Sequence, residues 1–146
     1  MFTEKLVARI IACPGPDYDQ EIKLRNEILR RPLGMDLLNE DLSREVNDIH
    51  IGLFRGQELI GTLILTPGQG YTKMRQVAVA ETARGINAGT QMVKFSEEVA
   101  REKGFSRIEL NARQEAVNFY LKNGYTVVGD QFTEVGIPHF KMIKEL

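Results

Sequence analysis

A chain of 146 residues with 19 basic and 20 acidic side chains has room for about one cored domain and carries a formal charge of −1. It has no run of five basic residues, so nucleic acid and anionic membrane surfaces are excluded as expected partners. A lone cysteine, Cys13, excludes an internal disulfide; with no apolar run near the ~20 residues of a membrane span and no signal-peptide core after Met1-Phe2-Thr3-Glu4-Lys5, the expectation is a soluble, cytoplasmic protein.

Residues 5–12 read as a strand through Leu6-Val7-Ala8-Arg9-Ile10-Ile11-Ala12, and Cys13 after it reads as inert, with no acid–base partner implied. The Pro14-Gly15-Pro16 turn leads to Asp17 and Asp19, either of which caps a helix running to about Arg31, where Pro32 and Gly34 stop it. Arg30 and Arg31 on that helix read as a solvated face; Arg25 is open to an acidic substrate. A second helix is expected over residues 36–46, with Leu38, Leu42 and Val46 inward and Asp41 and Arg44 outward. Over residues 48–67 the period becomes two, giving a hairpin that turns at Arg55-Gly56-Gln57-Glu58 and has both faces partly covered. His50, facing away from the Ile49 set, reads first as a hydrogen-bonded structural histidine. Pro67-Gly68-Gln69-Gly70 turns the chain into a third strand that ends at Val79.

The stretch from Arg75 onward carries the chemistry. Gln76-Val77-Ala78-Val79 is a short β-branched strand, and Ala88, Met92, Phe95 and Val99 form the apolar stripe of a helix opening near Gly89-Thr90. Between them, Arg84-Gly85-Ile86-Asn87-Ala88-Gly89 offers glycines for close backbone approach and a guanidinium. A helix N-terminus adds unpaired N–H groups and partial positive charge, which suits a phosphate or pyrophosphate. Following Val77-Ala78-Val79, the pattern Arg84-x-x-Asn87-x-Gly89 resembles the acyl-CoA loop of the GNAT N-acetyltransferase superfamily. Asn87 stands where that pattern has its first glycine, and asparagine is among the few residues that tolerate a left-handed backbone.

Gly104 closes the long helix after Arg101 and Lys103, a strand follows over residues 106–111, and a short helix over residues 114–125 ends at Gly124. Ala116, Phe119, Tyr120, Gly124 and Tyr125 match a second pattern of the same superfamily, in the right order behind the first. Arg113 departs from it, standing where many relatives have Asn or Gln. Residues 127–146 read as two strands joined near Val135-Gly136-Ile137-Pro138, and Glu134 to His139 is similar to the closing hairpin of a branch of small GNAT proteins; the same residues also suit a plain packed hairpin.

The resemblance implies a single α/β domain of the α+β kind over residues 1–146, with a mixed, mostly antiparallel twisted sheet flanked by helices. It implies acetyl-CoA as co-substrate, no metal, a small-molecule or peptide amine as acceptor, and a homodimer as a further expectation. Cofactor contacts are expected from Val77, Ala78, Val79, Arg84, Gly85, Ile86, Asn87, Ala88, Gly89, Thr90, Asn111, Asn118 and Tyr120. Acetyl transfer to an amine needs a donor for the carbonyl oxygen, removal of an ammonium proton and protonation of the departing thiolate. Tyr120 is the expected acid, because a phenol of pKa ~10 stays protonated beside a thiol of pKa ~8.5. For the base, Glu134 and His139 are the chosen candidates, with Asp48 and His50 open beside them. A CoA-binding module without turnover is the alternative reading, and a plain nucleotide-binding domain comes third because no acidic ribose-binding residue follows the loop.

Overall fold

The computed structural model describes residues 5–146, so the expectation for the leader falls, over residues 1–4, outside the described part. Seven strands form one sheet: β1 Leu6–Ile11, β2 Ile49–Arg55, β3 Glu58–Pro67, β4 Tyr71–Val79, β5 Arg107–Arg113, β6 Thr126–Glu134 and β7 Ile137–Glu145, in the order β1-β2-β3-β4-β5-β7-β6. All neighbours are antiparallel except β4 and β5. The three α-helices are α1 Pro16–Arg25, α2 Ala88–Glu102 and α3 Val117–Lys122. This is the mixed, mostly antiparallel sheet with flanking helices that the sequence implied.

The central strands β2 and β3 are buried along nearly their whole length, which is why their sequences are close to continuously apolar. On one face, Met92, Val93, Val99 and Ala100 of α2 pack with Leu53, Leu63, Met74, Ile108, Leu110 and Met142. On the other face, Leu24 of α1 packs with Ile11, Phe54, Leu59 and Ala78. Each of these Val, Leu, Ile, Phe and Met side chains, fully buried, contributes about 1.5–3 kcal/mol of transfer free energy.

Two helix expectations are corrected. The first helix starts at Pro16, whose fixed φ suits the first helical position, and its cap Gly15 makes no side-chain bond. Asp17 ion-pairs with Arg9 at 2.8 Å instead of capping. The helix ends at Arg25, widens into a π-helical turn at Asn26–Arg30, and tightens at Arg31–Leu33 before Gly34. The expected helix over residues 36–46 is replaced by two single 3₁₀ turns, Leu37–Asn39 and Ser43–Asn47. Leu38 and Val46 of the supposed inner stripe are 72% and 55% exposed, while Leu37 is fully buried. The physical reason lies in the aspartates: Asp36 accepts from the Leu38 N–H and Asp41 from the Ser43 N–H, each at 3.0 Å, and such local bonds compete with helix formation.

One irregularity positions the site. Met74 belongs to the α2-side core and Ala78 to the α1-side core, although four residues apart on a regular strand they would share a face. The inversion occurs at a bulge where the β3–β4 register shifts and Gln76 takes φ +55°. Beyond it β4 leans away from β5: the two strands pair only from Tyr71↔Arg107 to Met74↔Leu110, leaving a split between the rest of β4 and Asn111–Arg113.

Candidate active site

The split opens into a cleft of about 760 Å³. Val77 and Val79 line one side, Leu110, Asn111 and Arg113 the other, and Ala116, Phe119 and Tyr120 form one end. The turn after α1 contributes Leu29, Arg30, Leu33 and Met35, and the β6–β7 hairpin contributes Glu134 and His139. Of the residues expected at the site, the cleft therefore gathers Val77, Val79, Arg84, Asn111, Tyr120, Glu134 and His139.

The free hydrogen-bonding edge of β4 follows from strand alternation. Ala80 donates its N–H to the Ile60 carbonyl on the β3 side at 2.9 Å, so the N–H of Ala78 points the same way and those of Val77 and Val79 point into the split. No strand pairs with them there. The Ala78 side chain is buried against the α1 side, which leaves only its backbone at the cleft.

Gly85, Ile86, Asn87, Ala88, Gly89 and Thr90 form the loop and first turn of α2 beyond Arg84. Asn87 takes the left-handed conformation, φ 60° and ψ 23°, at the N-cap of α2, so the departure from the glycine pattern is accommodated in the backbone. The Asn87 carbonyl accepts the first helical bond from the Gln91 N–H at 3.0 Å, and the N–H groups of Ala88, Gly89 and Thr90 have no intrahelical acceptor. Gly85 supplies a further positive φ, +83°; Gly89 serves space instead, since a Cβ there would stand 3.1 Å from the Phe119 ring. Asn118 is exposed on α3, outside the cleft lining.

Tyr120 is 6% exposed, and among the described residues its hydroxyl makes no hydrogen bond. Burial pushes its pKa up to about 12, so it stays protonated. His139 is buried; its Nδ1 lies 2.8 Å from the Ile137 carbonyl, to which it donates, and its Nε2 lies 3.5 Å from the Glu134 carboxylate. Phe132 stacks on its ring, with centroids 5.8 Å apart. Glu134 is half exposed at the cleft mouth.

His50 and Asp48 lie outside this cleft lining. His50 is 1% exposed, with Nδ1 at 2.9 Å from Glu21 and Nε2 at 2.7 Å from the Glu45 carbonyl, so both ring nitrogens face acceptors. Arg25, expected to be open to substrate, is 1% exposed; it binds Glu45 through two 2.7 Å bonds and Glu21 at 2.9 Å. Glu21, Glu45 and His50 each bring a metal-ligating atom within 4.8 Å of the others, but the Arg25 guanidinium already supplies the cation to both carboxylates. The network pins the 36–47 segment to α1. Arg30, read from sequence as solvated, is only 14% exposed; it binds Glu40 at 2.5 Å and Gln76 at 3.2 Å, so the segment also reaches the bulge. Sequence reasoning missed Arg30 and Gln76, and neither residue type signals a bulge.

A strand edge freed beside its diverging neighbour, with an unengaged phenol and Arg84 on the same cleft and a helix N-terminus following Arg84 in the chain, is an arrangement that suits an acyl-CoA-dependent acyltransferase. The chain belongs to the GNAT acetyltransferase family, whose domain model matches residues 22–146. It is 30% identical over 123 residues to the uncharacterized N-acetyltransferase YjcF of Bacillus subtilis, covering 84% of this chain and 88% of the relative. Its fold is shared by an acyl-CoA N-acyltransferase from Pseudomonas aeruginosa, with TM-score 0.81, 19% identity and coverage of 97% and 99% of the two chains. A GNAT family acetyltransferase from Elizabethkingia anophelis, solved with acetyl-CoA bound, superposes with TM-score 0.74 and 18% identity over 97% of this chain and 98% of that one.

Proposed function

We propose that the protein is an N-acetyltransferase that moves the acetyl group of acetyl-CoA to a primary amine of a small molecule or of a protein, acting in the cytoplasm as one domain over residues 1–146. The observation that carries this reading is the pair of unpartnered N–H groups of Val77 and Val79 facing a split whose end is closed by the free Tyr120 hydroxyl.

The residues present fit the co-substrate. Val77 and Val79 hold the pantetheine amide and the thioester carbonyl through backbone N–H groups, and Arg84 with the N–H groups of Ala88 to Thr90 holds the pyrophosphate. Bound acetyl-CoA supplies an activated acetyl carbon. The Val79 side of the split gives a positioned N–H to the carbonyl oxygen as it gains charge. Glu134, with His139 behind it, takes the proton that turns the acceptor ammonium into a nucleophilic amine, directly or through water. Tyr120 donates a hydrogen bond to the departing sulfur. A phenol of pKa about 12 is a weaker acid than the thiol it would form, so Tyr120 steadies the charge while the second proton of the amine nitrogen closes the balance. The net reaction converts one ammonium and one thioester into one amide, one thiol and one released proton.

Free thiol should appear when acetyl-CoA and an amine panel are mixed with the protein, together with an acetylated product of matching mass. Cofactor binding without thiol release for any amine or peptide would instead support the silent CoA-binding module.

A further inference from the structure

We propose that the acceptor amine also carries an anionic group, a carboxylate or a phosphate, bound by Arg75 and Arg113; this rests on the acetyltransferase reading. In β5, Ile108, Leu110 and Ala112 face the α2-side core, so Asn111 and Arg113 face the opposite side of the sheet. Met74 also faces the α2 side, so Arg75 shares that opposite side. Arg75 and Asn111 directly follow the last pair of the two strands, Met74↔Leu110, and so flank the start of the split. Arg113 sits directly across from His139 on β7, on the same face as the histidine.

Charge on this side of the cleft is unbalanced. Arg9, Arg25, Arg30, Arg55 and Arg107 each have a carboxylate within 3.6 Å. Arg75 and Arg113 have no ion pair or side-chain hydrogen bond among the described residues, yet both line the cleft. Lys73 adds a cation, and its register neighbour Glu109 is already held by Arg107 and Lys141. Of the carboxylates lining the cleft, Glu40 is neutralised by Arg30, and Glu115 and Glu134 stand with Lys73, Arg75, Arg84 and Arg113; with Arg84 given to the pyrophosphate, Glu134 meets an ammonium at one end and the guanidiniums of Arg75 and Arg113 meet an anion. Guanidinium groups bind carboxylate and phosphate oxygens in a forked geometry, and a second binding group fixes the amine at one place. Leu29, Leu33 and Met35 provide an apolar wall for the hydrocarbon between the two charges.

Matched acceptors test this: phenylalanine against phenethylamine for the carboxylate, and O-phosphoethanolamine against ethanolamine for the phosphate. At least one anionic member should exceed its partner in kcat/KM by about tenfold, and Arg75→Gln or Arg113→Gln should abolish that preference through KM, with the Kd of acetyl-CoA within about twofold. The exposed Arg44→Gln serves as control and should change nothing. The proposal is overturned if the neutral members are equal or better acceptors. It is also overturned if either variant weakens acetyl-CoA binding comparably, since the guanidiniums would then serve the cofactor. Should no amine be acetylated, the acetyltransferase reading fails, and calorimetry on the CoA-loaded protein still decides the anion site. N-acetylphenylalanine binding more tightly than N-acetylphenethylamine, with the difference lost in Arg113→Gln, supports it; equal binding, or none, overturns it.

Discussion

The rings of Tyr120 and Tyr125 meet edge to face, 5.7 Å between centroids and 71° between planes, yet only Tyr125 engages its hydroxyl inside the protein, on Glu97 at 3.1 Å. Glu97 also accepts from Lys144 at 2.9 Å, so Tyr125 belongs to a closed polar group while Tyr120 offers its hydroxyl to the cleft. Tyr125→Phe should therefore cost stability on the order of 1 kcal/mol, the worth of one buried hydrogen bond, and leave acetylation rates unchanged. Denaturant unfolding alongside steady-state kinetics checks both halves; a kinetic loss without destabilisation would move the hydrogen bond to the departing sulfur from Tyr120 to its neighbour.

Arg84 reaches the cleft just before the α2 N-terminus. Arg84→Glu sets a carboxylate against the pyrophosphate and should raise the Kd of acetyl-CoA at least about tenfold, ~1.4 kcal/mol. Unchanged affinity by calorimetry would remove Arg84 from the phosphate site.

Asn87 holds φ 60° at the helix cap. Asn87→Gly should keep or tighten cofactor binding, because glycine enters this region without steric cost, whereas Asn87→Ala should lose about 1 kcal/mol of stability. If the glycine variant binds acetyl-CoA markedly more weakly, the asparagine amide itself touches the ligand.

His50 makes stability depend on pH. Burial opposes its charge, but the hydrogen bonds to Glu21 and to the Glu45 carbonyl outweigh it and hold the pKa above the ordinary 6.5. Its contribution is complete below about pH 6.5 and is lost as pH rises through the raised folded value. Unfolding free energy should thus fall on the alkaline side, and His50→Gln should flatten that slope. A variant with the wild-type slope would show that the histidine does not titrate in this way.

Hydrophobic period and glycine punctuation carried much of the architecture: the β2–β3 hairpin, the α2 stripe and the Gly104 stop all stand where local pattern placed them. The loop before α2 and the short helix that carries Tyr120 also stand where residue types at fixed spacing placed them. The 36–47 segment was not, because Asp36 and Asp41 turn an apparently helical spacing into local turns. Nor was the Gln76 bulge, which arises from the register between β3 and β4 and leaves no mark in the sequence of β4 alone. Arg25 and Arg30 looked like solvent-facing charges because their partners Glu45 and Glu40 come from a segment whose path only the tertiary fold determines.

Single-turnover acetylation by Tyr120→Phe tests the central claim most directly, since the substitution keeps the ring in its packing and removes only the O–H. A positioned hydrogen-bond donor to a developing negative charge is worth about 10²–10³-fold in rate, and the loss should fall on the chemical step with the Kd of acetyl-CoA nearly constant. Measuring a single turnover keeps slow product release from hiding the effect. A drop of about a hundredfold or more at unchanged affinity is the expected result; transfer at the wild-type single-turnover rate would make Tyr120 a packing residue and contradict its part in the chemistry.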